Sequence, residues 1–240
     1  MALLRLLTLR GILPIFFPRN LSSIEMKIVS LNVSLPRTIR WRGESVTTGI
    51  YKEPVSRPLR LAVLNLEGDA QADLSVHGGP DKAVYAYAAE YYPLWQKELF
   101  RDDLGFGMFG ENLTVDGGLF EEAVCVGDRF SAGAAELVAV QPRLPCYKLG
   151  IRFGTQRIIK KFAVARRYGV YFRVVKEGVV APNDPFVKTG ESGSGISIRD
   201  VGRLLLEGSN DAALIARAAG AEFLPERLRD HFRSLLEEKE

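Results

Sequence analysis

The chain has 240 residues, of which 47% are hydrophobic and 25% charged, and its formal net charge is +3. A chain of this length buries about 70–75% of the surface of its unfolded form, so it can sustain a core without disulfide or metal cross-links. Most of the positive charge lies in residues 1–25, so the remainder is almost neutral, and we expect no nucleic-acid partner.

Residues 1–25 form a leucine-rich segment punctuated by arginine and free of acid until Glu25. This pattern resembles a transit peptide or a poor signal sequence, but its apolar stretches are too short and interrupted to span a bilayer. The alternative is a natural start at Met26, which immediately precedes a clean strand pattern, and we favour it. In both cases we expect residues 1–25 to be poorly ordered and to contribute nothing to the fold.

From Val29 to Leu35 hydrophobic and polar residues alternate, which indicates a half-buried β-strand. Further short strand-like runs, separated by Gly, Pro and Asp, follow at 45–51, 59–66, 83–87, 112–115, 136–140 and 169–175. Helical patterns interrupt them at about 89–100 and 151–162. Residues 26–187 are therefore predicted to form a mainly β domain, a barrel or sandwich with helical insertions.

The sequence changes character after Pro185, and residues 188–195 are predicted to be a flexible polar linker. Residues 196–240 then form a small all-α domain of three helices, starting near Ser197, at Asp211 and after Pro225. A unit this small has too little core for a catalytic domain. It could instead serve packing, homodimerisation or the docking of a partner.

Cys146 is the leading functional candidate, because it lies in a loop that contains two prolines, Pro142 and Pro145, rather than in an apolar strand or helix. Arg143 and Lys148 can place positive charge beside the sulfur, which favours the nucleophilic, metal-ligating thiolate. The alternative is a buried, inert cysteine, and the local sequence leaves both open.

Cys125, by contrast, ends an apolar run and is predicted to be a small core residue. Two cysteines without a C-x-x-C motif do not make a disulfide framework, which favours a reduced, cytoplasmic protein. A structural zinc site is not expected, because no Cys or His residues have ligand spacing.

Two further loops are more polar than structure alone requires. The loop from His77 to Lys82 combines an imidazole, two glycines and an acid–base pair, and such a loop can approach an anion closely. For this loop alone, a turn that needs glycine for its backbone conformation is the simpler explanation. The second loop, from Phe109 to Leu113, places a carboxylate and an amide at the start of a strand.

Four segments, taken in their order along the chain, closely resemble the MOSC domain, the family named for the C-terminal part of molybdenum cofactor sulfurase. They are TTGIYKEPV, HGGPDKAVYAY, FGENL and QPRLPCYKLG. The linker and three-helix tail are similar to those of its YiiM-like branch, and the resemblance covers residues 26 to about 235.

The resemblance implies a MOSC-type β-barrel that binds a molybdenum-molybdopterin cofactor, with Cys146 as the protein ligand to the metal. A thiolate is a soft ligand that suits such a centre, and pterin dithiolene sulfurs would supply further ligands. The residues implied in cofactor binding are His77, Gly78, Gly79, Asp81, Lys82, Gly110, Glu111, Asn112, Arg143, Pro145, Cys146 and Lys148.

The resemblance further implies reduction of N-hydroxylated compounds, such as hydroxylaminopurines, hydroxylamines and amidoximes, with a two-electron change at the metal. His77 is the candidate proton donor beside Cys146. The chain has no flavin, haem or iron–sulfur motif, so a separate flavoprotein or electron carrier would be needed. One alternative is a non-catalytic molybdopterin or persulfide sulfur carrier built on Cys146. Another is an interaction module that has lost the cofactor.

Overall fold

The computed structural model describes residues 25–72 and 78–238. The strands in these ranges are β1 (Lys27–Val33), β2 (Arg37–Trp41), β3 (Glu44–Thr48), β4 (Glu53–Val55), β5 (Leu59–Leu61), β6 (Val84–Ala88), β7 (Leu113–Asp116), β8 (Arg129–Ala132), β9 (Ala135–Pro142), β10 (Val170–Lys176), β11 (Gly178–Val180) and β12 (Phe186–Gly190). The helices are α1 (Tyr91–Leu99), α2 (Tyr147–Arg152), α3 (Arg157–Ala165), α4 (Ile198–Glu207), α5 (Ala212–Gly220) and α6 (Glu226–Glu237), with a 3-10 turn at Pro80–Lys82.

Eight strands form one sheet in the order β12-β8-β9-β10-β6-β7-β1-β4, and two-stranded ladders join β11 to β5 and β2 to β3. Neighbours in the large sheet are antiparallel except β6 and β7, which are parallel. All five residues of β6 are buried, as expected for a central strand covered on both faces. The sheet confirms the prediction of a mainly β protein with helical insertions.

The sheet is not closed into a complete barrel, because no ladder joins β4 to β12 among the described strands. The sheet nevertheless curls back on itself. The amide of Phe186 donates to the carbonyl of Met26 at 2.8 Å, and the amide of Asn183 donates to the carbonyl of Ile28 at 2.6 Å. β4 pairs with Leu31–Val33 of β1, so only the beginning of β1 meets the chain that enters β12.

The predicted helix at 89–100 is confirmed as α1, but the single helix predicted at 151–162 is wrong. Two helices, α2 and α3, cover this region. Gly154 lies between them with φ of 70°. That left-handed conformation ends a helix and is strained for residues with a Cβ atom, so the chain turns there and starts α3 in a new direction.

The three C-terminal helices begin where the sequence indicates. The hydroxyl of Ser197 accepts a hydrogen bond from the amide of Asp200 at 3.1 Å, and the carboxylate of Asp211 accepts one from the amide of Leu214 at 2.9 Å. These are N-cap interactions, which satisfy amides that lack partners within the first helical turn. Pro225 directly precedes α6.

The C-terminal helices do not form a core of their own. One hydrophobic cluster contains buried residues of the sheet together with Val201, Ile215 and Phe232 from the three helices. The amide of Ile198 also donates to the carbonyl of Val124 at 2.8 Å, which ties the start of α4 to the strand-rich region. The helical segment and the sheet therefore fold as neighbours in one core.

Two smaller predictions about this junction are wrong. Residues 188–190 of the predicted linker belong to β12, where Val187 and Lys188 pair with Ser131 and Phe130 of β8. Cys125 is half-buried rather than part of the core, and it forms an isolated β-bridge with Ser197.

None of the described helices is both long and apolar enough to cross a membrane.

Candidate functional site

A cavity of about 270 Å³ is lined by residues of β6, β9, β10 and α6 and by the loops between the strands. It brings together several residues that are far apart in sequence. The predicted site residues that line it are Lys82, Gly110, Asn112, Arg143, Pro145, Cys146 and Lys148. Predicted site residues from three separate segments thus meet at one cavity.

Cys146 lies in the short connection, 143–146, between β9 and α2. β9 pairs with β8 on one side and β10 on the other, so the start of this connection is held firmly. At its end, the carbonyl of Cys146 accepts a hydrogen bond from the amide of Leu149 at 2.9 Å. The side chain of Cys146 is half-buried and faces the cavity, which makes the sulfur both shielded and reachable.

Arg143 supplies positive charge close to this sulfur. It is only 5% exposed, and its guanidinium carbon lies 5.8 Å from the ring centroid of Tyr85 and 5.4 Å from that of Phe162. Burial alone would lower the pKa of Arg143, but the anionic forms of Cys146 and of nearby tyrosines outweigh it, and the pKa is raised. The guanidinium therefore stays protonated, and its field favours the thiolate of Cys146.

A buried ion pair also lies in the cavity lining. The ammonium of Lys52 lies 2.5 Å from Oδ1 of Asp69, which also accepts the amide of Ser34 at 2.9 Å. Oδ2 of Asp69 accepts the side-chain amide of Asn112 at 2.9 Å, and Oδ1 of Asn112 accepts the amide of Tyr85 at 3.2 Å. The side chain of Asn112 thus forms hydrogen bonds with other residues of the protein, and in this structure it positions the wall of the cavity.

Glu111 does not line the cavity, because its side chain is fully buried. Its Oε1 accepts hydrogen bonds from the amide of Gly107 at 2.7 Å and the hydroxyl of Thr114 at 3.0 Å, and Oε2 accepts the amide of Phe109 at 3.2 Å. Tyr92 donates its hydroxyl to the same carboxylate. Burial raises the pKa of Glu111. In this structure Glu111 organises the loop that leads to the cavity.

Gly110, the neighbour of Glu111, does face the cavity. Its φ is 82°, in the left-handed region, and a Cβ atom there would lie 3.2 Å from Cγ1 of Ile50. Both the backbone conformation and the close approach of Ile50 therefore require glycine at this position.

His77, a predicted site residue, lies outside the described residues. Gly78 and Gly79 are half-buried and do not line the cavity, and Gly79 has φ of 86° at the start of the 3-10 turn. Asp81 lies outside the cavity lining, where it accepts a hydrogen bond from Nε of Arg173 at 2.9 Å. The roles predicted for these residues stay predictions.

The charges around the cavity are strongly unbalanced. Its described lining includes one acid, Asp69, which is paired with Lys52, and five cations, namely Lys52, Lys82, Arg143, Lys148 and Arg227. Among residues 25–72 and 78–238, no ion pair includes Arg143, Lys148 or Arg227. Such a cavity attracts an anionic ligand.

Several lining residues had no signal in the sequence. Lys52 lies in the segment TTGIYKEPV, but nothing in that segment marked it as a site residue. Asp69 comes from a loop without a motif, and Tyr171 is one aromatic residue in an ordinary strand pattern. Arg227 and Leu228 come from the first turn of α6, where a charged residue indicates only a solvated helix face. These positions become recognisable only once the fold brings them to the cavity.

The donor set suits a cofactor that carries its own metal ligands. No group of three or more His, Cys, Asp or Glu side chains in the described part of the chain could hold a metal ion. Cys146 offers one soft sulfur donor, so a metal bound here must bring its other ligands with it. Molybdopterin does so through its dithiolene sulfurs, and its phosphate matches the surplus of cations, so the residues present fit this group.

Known proteins resemble this chain in sequence and in structure. The profile of the MOSC domain matches residues 73–187. The chain is 40% identical over 205 residues to the uncharacterized protein YflK of Bacillus subtilis (strain 168), a match that covers 85% of this chain and 92% of that protein.

Among solved structures, the crystal structure of YiiM from Geobacillus stearothermophilus superposes with a TM-score of 0.74 at 33% identity, covering 88% of this chain and 99% of the other. The chain is also 36% identical over 145 residues to a protein of Gibberella moniliformis (strain M3125 / FGSC 7600) named Reductase. That match covers 59% of this chain but only 26% of the fungal protein.

Proposed function

This chain belongs to the MOSC domain family and is YiiM-like in sequence and structure, and from that premise we propose that it is a molybdenum cofactor-dependent reductase of N-hydroxylated compounds. The observation that carries the proposal is the half-buried Cys146 thiol at a cavity with a surplus of cations. The relative named Reductase supports reductive chemistry in general terms. Hydroxylaminopurines, hydroxylamines and amidoximes are the proposed substrates.

The residues on the cavity wall have distinct roles in this proposal. Cys146 would bind the metal through Sγ, while Lys82, Arg143 and Lys148 would supply positive charge around the cofactor. Asn112 and Asp69 hold another part of the cavity wall in place through their mutual hydrogen bond of 2.9 Å. When bound, the cofactor supplies two-electron redox chemistry, which the side chains of the described chain lack.

The reaction needs protons as well as electrons. Reduction of a hydroxylamine consumes two electrons and two protons, breaks the N–O bond, and releases the amine and water. The electrons would come from a separate flavoprotein or carrier. His77, outside the described residues, remains the proposed source of one proton, and the half-buried cavity limits competing access of water to the reacting atoms.

The test is steady-state turnover. The protein is purified from a host that makes molybdopterin, and reduction of hydroxylaminopurine is measured with an artificial electron donor. We expect activity in the wild type, loss of at least about a hundredfold in Cys146→Ala, and full activity in Cys125→Ala, since Cys125 does not line the cavity.

Two results would contradict the proposal. Equal turnover by Cys146→Ala and the wild type would remove Cys146 from the chemistry. Bound cofactor without turnover of any N-hydroxylated compound, together with a labile sulfane sulfur on Cys146, would support a sulfur carrier instead.

A further inference from the structure

The C-terminal helical segment contributes directly to the cavity. The first turn of α6 places Arg227 and Leu228 in its lining. Leu228 is buried, and Phe232 one turn later is fully buried in the common core. Packing at these two positions fixes the start of α6 against the rest of the protein, so the location of Arg227 at the cavity follows from the fold.

Arg227 meets another cation there. Lys82 reaches the same cavity from the 3-10 turn. Burial lowers the pKa of Lys82, and the nearby positive charge of Arg227 lowers it further. Lys82 is half-buried and Arg227 is exposed. Two like charges held near each other at a cavity repel, and this repulsion is relieved when an anion lies between them.

The helix itself does not neutralise Arg227. Asp230, one turn along α6, instead pairs with Arg233 on the exposed face at 2.5 Å. Within the described part of the chain Arg227 has no acidic partner, although it lies on a helix rich in charged residues. A cation that lines a cavity and lacks a carboxylate partner is suited to an anionic ligand.

We propose that Arg227 of α6 and Lys82 of the 3-10 turn bind a phosphate monoester in the cavity, so that the three-helix segment completes the ligand site. The inference rests on the proposed function in so far as the phosphate is that of the pterin cofactor. The same chemistry could come from a nucleotide form of the N-hydroxylated substrate. The experiment separates these two sources.

The first measurement uses full-length protein made in a host without molybdopterin and inorganic phosphate as the probe. Thermal unfolding is followed as phosphate is added to the wild type, Arg227→Gln and Arg233→Gln. Arg227→Gln should bind phosphate about tenfold more weakly or worse, because it loses a charge-assisted contact. Arg233→Gln, on the same helix but outside the cavity, should match the wild type. Equal phosphate affinity in Arg227→Gln and the wild type would overturn the proposal.

The second measurement assigns the source of the phosphate, using protein from a host that makes molybdopterin. Loss of molybdopterin from Arg227→Gln during gel filtration, with retention in Arg233→Gln, assigns the site to the cofactor. Full retention with a raised KM for the nucleoside monophosphate, and an unchanged KM for the free base, assigns it to the substrate. If Arg227→Gln retained molybdopterin and also kept its KM for the nucleoside monophosphate, the inference would be overturned. If the wild type held no molybdenum, the proposed function would fail, and the phosphate titration alone would decide the role of Arg227.

Discussion

Replacing Asp69 by Asn should show how strongly the buried ion pair supports the cavity wall. Lys52 is 8% exposed and Asp69 is 6% exposed, so the substitution leaves a buried ammonium without its counter-charge. Removing one partner of such a pair costs about 3–5 kcal/mol of stability. The cost cannot exceed the free energy of deprotonating Lys52, because a neutral amine needs no counter-charge.

The ordinary pKa of Lys52 is 10.5. Each pH unit below this value adds about 1.4 kcal/mol to the free energy of deprotonating Lys52, so the limit is about 5 kcal/mol at pH 7 and about 2 kcal/mol at pH 9. The sign follows from proton binding. In Asp69→Asn the native pKa of Lys52 lies further below its unfolded value, so the native state binds fewer protons and becomes more stable as the pH rises.

The assay is guanidinium unfolding of the wild type, Asp69→Asn, Lys52→Met and the double variant at pH 7 and pH 9. We expect a loss of about 3–5 kcal/mol for Asp69→Asn at pH 7, a loss below about 2 kcal/mol at pH 9, and partial recovery in the double variant. A loss under about 1 kcal/mol at pH 7, or the same loss at both pH values, would refute the reasoning.

Two further predictions concern packing and pH. A Cβ atom at Gly202 would lie 2.2 Å from Cε2 of the buried Tyr168, so Gly202→Ala should cost about 1–3 kcal/mol in thermal unfolding, whereas Gly220→Ala, with nothing within 4 Å, should change stability by less than about 1 kcal/mol. Equal effects would contradict the packing of α4. Burial raises the pKa of Glu111 above 4.5, so its contribution to stability is complete below that pH and is lost as the pH rises through the native value. Relative to the wild type, Glu111→Gln should lack this decline in denaturant titrations between pH 4.5 and pH 7, and parallel curves would exclude it.

Much of the local structure was predictable because it depends on neighbouring residues. The alternation in β1 and the caps Ser197 and Asp211 are local signals, and each marks the element that the structure contains. The split between α2 and α3 was missed because Gly154 can be tolerated inside a helical pattern. Incomplete closure of the sheet depends on long-range pairing, which local patterns do not encode.

The site was predictable where one loop carries several unusual residues. Arg143, Pro145 and Cys146 are close in sequence, and the structure brings all three to the cavity. Glu111 was drawn into the prediction by its place in a polar loop, but four hydrogen-bond donors within the protein surround its carboxylate. Arg227 could not be found, because its relation to the cavity exists only after α6 has packed.

The central claim is that the sulfur of Cys146 binds molybdenum, and X-ray absorption at the molybdenum edge measures this most directly. The wild type and Cys125→Ser should show the same number of sulfur neighbours around the metal. Cys146→Ser should show one fewer, or should fail to retain molybdenum. An unchanged metal content and an unchanged sulfur count in Cys146→Ser would contradict the account.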